Sequence, residues 1–144
     1  MSSSLRPPAQ RPCESCPYRR DVPAGIWSGE EYAKLRRYDA ETPDQPTGLF
    51  QCHQTDADSA IRRICGGWAG CHAGEELLAL RLAVLDGTLN AATYRAVVEY
   101  TSPVPLFSSG REAAAHGEAG LEAPNEDARR LITKITRTRQ DLTP

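Results

Sequence analysis

Five cysteines, Cys13, Cys16, Cys52, Cys65 and Cys71, restrict the fold of this chain more than any other feature. Of its 144 residues only 25 are Leu, Ile, Val or Phe. That is about 17% against the roughly 20% below which a packed core becomes doubtful. Charge nearly cancels, 17 basic against 19 acidic side chains for a net −2, so the chain does not read as a self-repelling disordered polymer either. A chain that folds around so small an apolar interior needs a staple, and the thiols are the candidates. Residues 1–12 contain no apolar signal core and no run approaches 18 apolar residues, which predicts a cytoplasmic protein without a membrane partner. Thiols stay reduced in that compartment and an odd count suits disulfides poorly, which leaves metal ligation.

Cys13-Glu-Ser-Cys16 has the two-residue spacing that lets two thiolates meet one ion while intervening N–H groups donate to sulfur. In a short strand through residues 49–53, Phe50 and Cys52 share one face and His53 points to the other, so Cys52 is preferred as ligand. Cys65 precedes Gly66-Gly67, a pair free to take positive φ and wrap tightly around an ion. The expected tetrahedral set is Cys13, Cys16, Cys52 and Cys65, with Cys71, His53 and His72 in reserve. Trp27 and Trp68 are expected beside the site, shielding it from water. Zinc is the expected metal and a four-iron cluster the alternative, since Pro17 follows Cys16 as in the Cys-Pro step of ferredoxin-type ligands.

The predicted fold is a small, helix-rich α+β domain stapled by that metal, with a C-terminal helical tail. Residues 1–12 read as a flexible leader, 13–100 as the metal-binding domain and 101–144 as linker and final helix. Ser28 with Glu30-Glu31 predicts a helix start that puts Tyr32, Leu35 and Tyr38 on one face. The strongest pattern, 75–85, predicts a helix with a stripe of Leu77, Leu78, Leu82 and Leu85, ended by Gly87. Asn90 is expected to cap a helix reaching Tyr100 with Tyr94, Val97 and Val98 inward, and 108–124 to be loosely structured. Asn125 with Glu126-Asp127 opens the last helix, which carries Leu131, Ile132 and Ile135.

No His-Glu-x-x-His run, phosphate loop or Gly-x-Ser-x-Gly elbow is present, which argues against an enzyme. His116 has no partner that the sequence identifies. Charge is uneven, +3 over residues 1–20 and −5 over 21–60. Arg11, Arg19, Arg20, Arg62 and Arg63 flank the cysteines and would gather if Cys16 and Cys65 shared an ion. Such a face suits a regulatory module that binds protein or nucleic acid.

Two resemblances attach to these motifs. The string Arg11-Pro-Cys-Glu-Ser-Cys-Pro-Tyr-Arg-Arg20, then Cys52-His53, then Cys65-Gly-Gly-Trp68, resembles an uncharacterised actinobacterial and actinophage domain family over about residues 10–90. That resemblance implies the four-cysteine set above and leaves Cys71 as an extra; it implies no activity. Separately, Cys16-Pro-Tyr-Arg-Arg20 with Gly25-Ile-Trp-Ser-Gly29 and Leu35-Arg36-Arg37 is similar to WhiB-like regulators. These hold a four-iron cluster and contact the transcription machinery. They place a further cysteine six positions on, where this chain has Val22.

Overall fold

Ser28 begins the first helix as expected: its Oγ accepts from the Glu31 N–H, and α1 runs over Gly29–Arg37 with acids in its first turn and bases in its last. The computed structural model describes residues 5–51 and 63–138. Five further helices follow α1 there: α2 Gly66–Cys71, α3 Leu78–Leu85, α4 Ala91–Val98, α5 Gly110–Glu118 and α6 Glu126–Thr138. Strand pairing among the described residues is reduced to isolated bridges, Arg6 with Arg63, Arg19 with Leu106 and Gln51 with Ile64. The helix-rich α+β class therefore holds. The short strand expected from residue 49 survives as the Gln51–Ile64 bridge and a Cys65 N–H to Phe50 carbonyl bond of 2.8 Å.

The buried face of α1, Tyr32 and Leu35, is covered by α5. Here the structure corrects the expectation of loose chain over 108–124. Ser109 caps α5 by accepting from Glu112 N–H, and Glu112 Oε1 accepts from the N–H of Ser108, one residue before the cap, a variant of the capping box that the sequence writes as Ser-x-x-Glu. The small residues Gly110, Ala113, Ala114 and Gly117 are the packing face of α5. A Cβ on Gly117 would stand 1.9 Å from Tyr32 Cε1, so the aromatic ring lies directly on the helix backbone. Asp39, just past α1, accepts from the Gly110 and Arg111 N–H groups at 2.8 Å each and so neutralises the α5 N-terminus.

A second correction concerns the leucines. A 3-10 turn over Gly74–Glu76 precedes α3, whose first N–H, that of Leu78, donates to Gln45 Oε1. The helix is thereby set so that Leu77, Leu80 and Ala83 face the core, while Leu82 is 36% and Leu85 82% exposed. Gly87 ends the helix at φ +83°, as expected. Asn90 caps α4 through Thr93 N–H, Val97 is buried and Tyr94 packs on the core, though the helix stops at Val98.

The segment expected to be linker and tail contributes Val104, Ala113, Ala114, Ala128 and Ile135 to the buried set. Phe107 N–H donates to the Tyr18 carbonyl and Arg20 N–H to that of Pro105, which ties this segment to the chain just after Cys16. Asn125 caps α6 through Ala128 N–H, and Leu131 and Ile132 pack against the core beside Ile135. At the centre, Tyr18, Tyr38, Phe50 and Trp68 form an aromatic cluster with ring centroids 5.4–6.4 Å apart, edge-to-face in three pairs and stacked between Phe50 and Trp68. Each such side chain contributes roughly 2–3 kcal/mol by burial, so four aromatics offset much of the shortage of aliphatic residues.

Candidate metal centre

The Cys13–Cys16 turn is closed by the Cys16 N–H donating to the Cys13 carbonyl at 3.0 Å. Three groups hold it from outside. Arg19 Nη1 donates to the carbonyls of Pro12 and Cys13, and the same guanidinium is paired with Asp21 at 2.7 Å. Trp27 Nε1 donates to the Ser15 carbonyl at 2.9 Å, and Lys134 of α6 pairs with Glu14 inside the turn. Two of these braces come from the chain between the turn and α1, and the third comes from α6.

Cys65 enters from the other side as the N-cap of α2, its Sγ accepting from the Trp68 N–H at 3.4 Å. Its sulfur lies 3.7 Å from that of Cys16, across 49 residues of sequence. A disulfide would require about 2.05 Å, so these are thiols in contact. The Cys13 sulfur lies 3.8 Å from the Ser15 hydroxyl oxygen. Burial pushes the Cys16 thiol well above its ordinary value, against the opposing effect of the Cys13 hydrogen bond, and Cys65 adds to the rise. A positive ion would reverse that preference by stabilising the thiolates.

The glycines after Cys65 serve differently from expectation. Neither takes positive φ; among the described residues only Gly25 and Gly87 do. Both open α2, where space is the constraint: a Cβ on Gly67 would lie 2.3 Å from Cys16 Sγ and 2.7 Å from Tyr18 Cβ. On Gly66 it would meet Tyr100 Oη at 2.8 Å. The two sulfurs meet because α2 presents bare backbone there.

Cys52, His53 and Arg62 lie outside the described residues. Among those described, no group of three or more His, Cys, Asp or Glu side chains gathers as a complete metal site. Of the reserve residues, Cys71 and His72 sit at the far end of α2. Half-buried Cys71, its thiol pushed up to about 12 mainly by burial, lines a pocket of about 340 Å³ with Tyr38, Asp39, His72 and Glu76. His72 is held below its usual pKa by burial, its Nε2 is buried without a hydrogen-bond partner among the described residues, and its ring meets Tyr18 edge-on at 5.8 Å.

The arginines divide. Arg19 braces the cysteine turn, and Arg20 donates to the Leu106 carbonyl at 2.9 Å while lying over the Phe107 ring. Arg11 and Arg6 are exposed and Arg63 half-buried; none has an ion pair among the described residues. Arg6 and Arg63 are bridge partners, so their side chains start from adjacent backbone. Sequence reasoning missed the α6 brace on Glu14, and isolated Glu and Lys residues 120 positions apart carry no local signal of it. His116, left without a role, bonds through Nε2 to the Val22 carbonyl at 2.7 Å.

No curated protein and no solved structure matches this chain significantly. The model of a family of unknown function (DUF6283) matches residues 8–139, a span that takes in the cysteine turn and all six helices, and the chain belongs to that family.

Proposed function

We propose that this chain is a small, non-catalytic binding module stapled by one zinc ion, with Cys13, Cys16, Cys52 and Cys65 as ligands and a regulatory role. The 3.7 Å separation of the Cys16 and Cys65 sulfurs carries the reading. Two thiolates at about 2.3 Å from one tetrahedral zinc stand about 3.8 Å apart. A cubane iron–sulfur cluster, the alternative, binds each cysteine through a different iron and so spreads the sulfurs further. The surroundings fit the ion as well. Trp68 N–H donates to Cys65 Sγ, as backbone amides do to zinc-bound thiolates, and the bare backbone at Gly67 leaves the sulfurs room to meet. Cys71 and His72 stay outside this set, at the other end of α2.

The binding face follows from which arginines have no ion pair among the described residues. Arg6, Arg11 and Arg63 supply it, with Arg62 expected alongside, whereas Arg19 and Arg20 support loops. Such a face takes phosphate or carboxylate groups, from nucleic acid or an acidic protein surface. The metal reading is tested by elemental analysis and an absorption spectrum on protein purified without air. One zinc per chain in a colourless preparation is the expected result; iron with visible absorption would replace it with the cluster. Retention on nucleic acid that weakens steeply with salt would assign the partner class, and its absence at low salt would leave protein.

A further inference from the structure

One backbone pairing places two like charges side by side. Arg6 and Arg63 are partners in a parallel bridge, held by the Ile64 N–H donating to the Arg6 carbonyl at 3.0 Å. Their neighbours Leu5 and Ile64 are buried, while Arg6 is exposed and Arg63 half-buried. Bridge partners project to the same side from backbones about 4.8 Å apart, so two arginine stems rise together from one patch. Like charges set opposite each other in this way are destabilising. Arg19, Arg36 and Arg130 are each answered by carboxylates, those of Asp21, of Glu118, and of Glu126 with Asp127. Neither Arg6 nor Arg63 has an ion pair or a side-chain hydrogen bond among the described residues. The fold therefore leaves a double positive charge at one point of the surface with no internal anion to offset it.

We propose that Arg6 and Arg63 form a site for the terminal phosphate of a nucleic-acid strand. The proposal deepens the arginine-face part of the reading above and does not depend on the metal. Oxygen count and charge select the ligand. A carboxylate has two oxygens, and the fork of a single guanidinium occupies both. A phosphate inside a strand has two unbridged oxygens and a single charge. A terminal phosphomonoester carries about −1.5 to −2 charge near pH 7 and three acceptor oxygens, enough for two forks to share. The continuation of the charge favours a strand over a phosphorylated side chain. Arg11, exposed and also without an ion pair among the described residues, lies five residues along the same segment, at most about 18 Å from Arg6. A strand held by its end brings further phosphates in that direction, whereas a phosphorylated side chain brings one.

The full chain is titrated at low salt against a single-stranded DNA oligonucleotide and against the same oligonucleotide phosphorylated at both ends, each followed by fluorescence anisotropy. The end phosphates are expected to tighten binding about tenfold. Arg6→Gln and Arg63→Gln should each abolish that preference. Arg11→Gln should weaken both oligonucleotides by the same factor and keep it. The comparison within the native chain requires no variant to fold. Equal affinities there, or a preference that survives both pair substitutions, overturn the site and leave the arginine-face reading standing as contact with internal phosphates. A nucleoside monophosphate or a phosphoserine peptide bound as tightly as the phosphorylated strand overturns the assignment to a strand end. Binding of neither oligonucleotide overturns the site together with the nucleic-acid branch of that reading.

Discussion

At the first turn of α2, Cys65 is buried, takes a backbone N–H on its sulfur and touches Cys16 of a distant segment. At the last turn of the same short helix, Cys71 is half-buried beside a pocket, with Asp39 and Glu112 raising its thiol further after burial. The residue type is identical and the separation is only six positions, yet the surroundings differ. One end is arranged around sulfur, with bare glycine backbone and donors aimed at it; the other treats sulfur as a small apolar filler. The environment of a thiol is thus set by what meets it, and a count of cysteines alone does not supply it.

The sharpest way to break this comparison is to remove one thiol at a time. Cys65→Ser is expected to abolish stable zinc uptake and to cost on the order of 3 kcal/mol or more, whereas Cys71→Ser should cost under about 1 kcal/mol and leave the metal content unchanged. Thermal melts with elemental analysis of both variants check this, and equal losses would erase the distinction between the two ends. A smaller effect is expected from Gly67→Ala, whose methyl would press on Cys16 Sγ and Tyr18 Cβ: roughly 1–3 kcal/mol of overpacking. Gly48→Ala, with no atom of the described residues within 4 Å of its added methyl, is the control and should stay within about 0.5 kcal/mol in urea titrations.

The smallest effect belongs to the far end. Burial holds His72 below its unfolded pKa of about 6.5, with Asp39 opposing, so its neutral ring favours the folded state above that pH. That share of stability is lost as pH falls from about 6.5 through the lower folded value. The urea midpoint of the native chain should drop more steeply between pH 7 and 5 than that of His72→Gln, and parallel curves would show that His72 is uncoupled from folding.

Local signals were legible wherever capping chemistry accompanied them. Ser28, Asn90, Asn125 and Gly87 mark helix ends that the fold keeps. Ser109 and Glu112 form an equally good signal, hidden among alanines and glycines that read as low complexity. Their value as a packing face appears only once Tyr32 and Leu35 of α1 lie against them. The leucines of 77–85 fit a helical stripe, but a 3-10 turn and the Gln45 cap set the helix so that Leu80 and Ala83 turn inward and Leu85 outward. Periodicity marks that a helix forms without fixing where its first turn begins.

The arginines show the same limit. Proximity to the cysteines grouped five of them, while the fold commits Arg19 and Arg20 to carbonyls, a carboxylate and an aromatic ring. It leaves Arg6, Arg11 and Arg63 without ion pairs among the described residues.

By itself the order of residues determined a helix-rich domain poor in aliphatic side chains, its main helix caps and a Cys-x2-Cys turn, because spacing and cap chemistry act over a few residues. Only the tertiary structure decided that Cys65 meets Cys16, that Gly67 is needed for space, and that α5 and α6 close over the α1 face and the cysteine turn. Those contacts join segments 49 to 120 residues apart, and no short-range propensity encodes a meeting at that range.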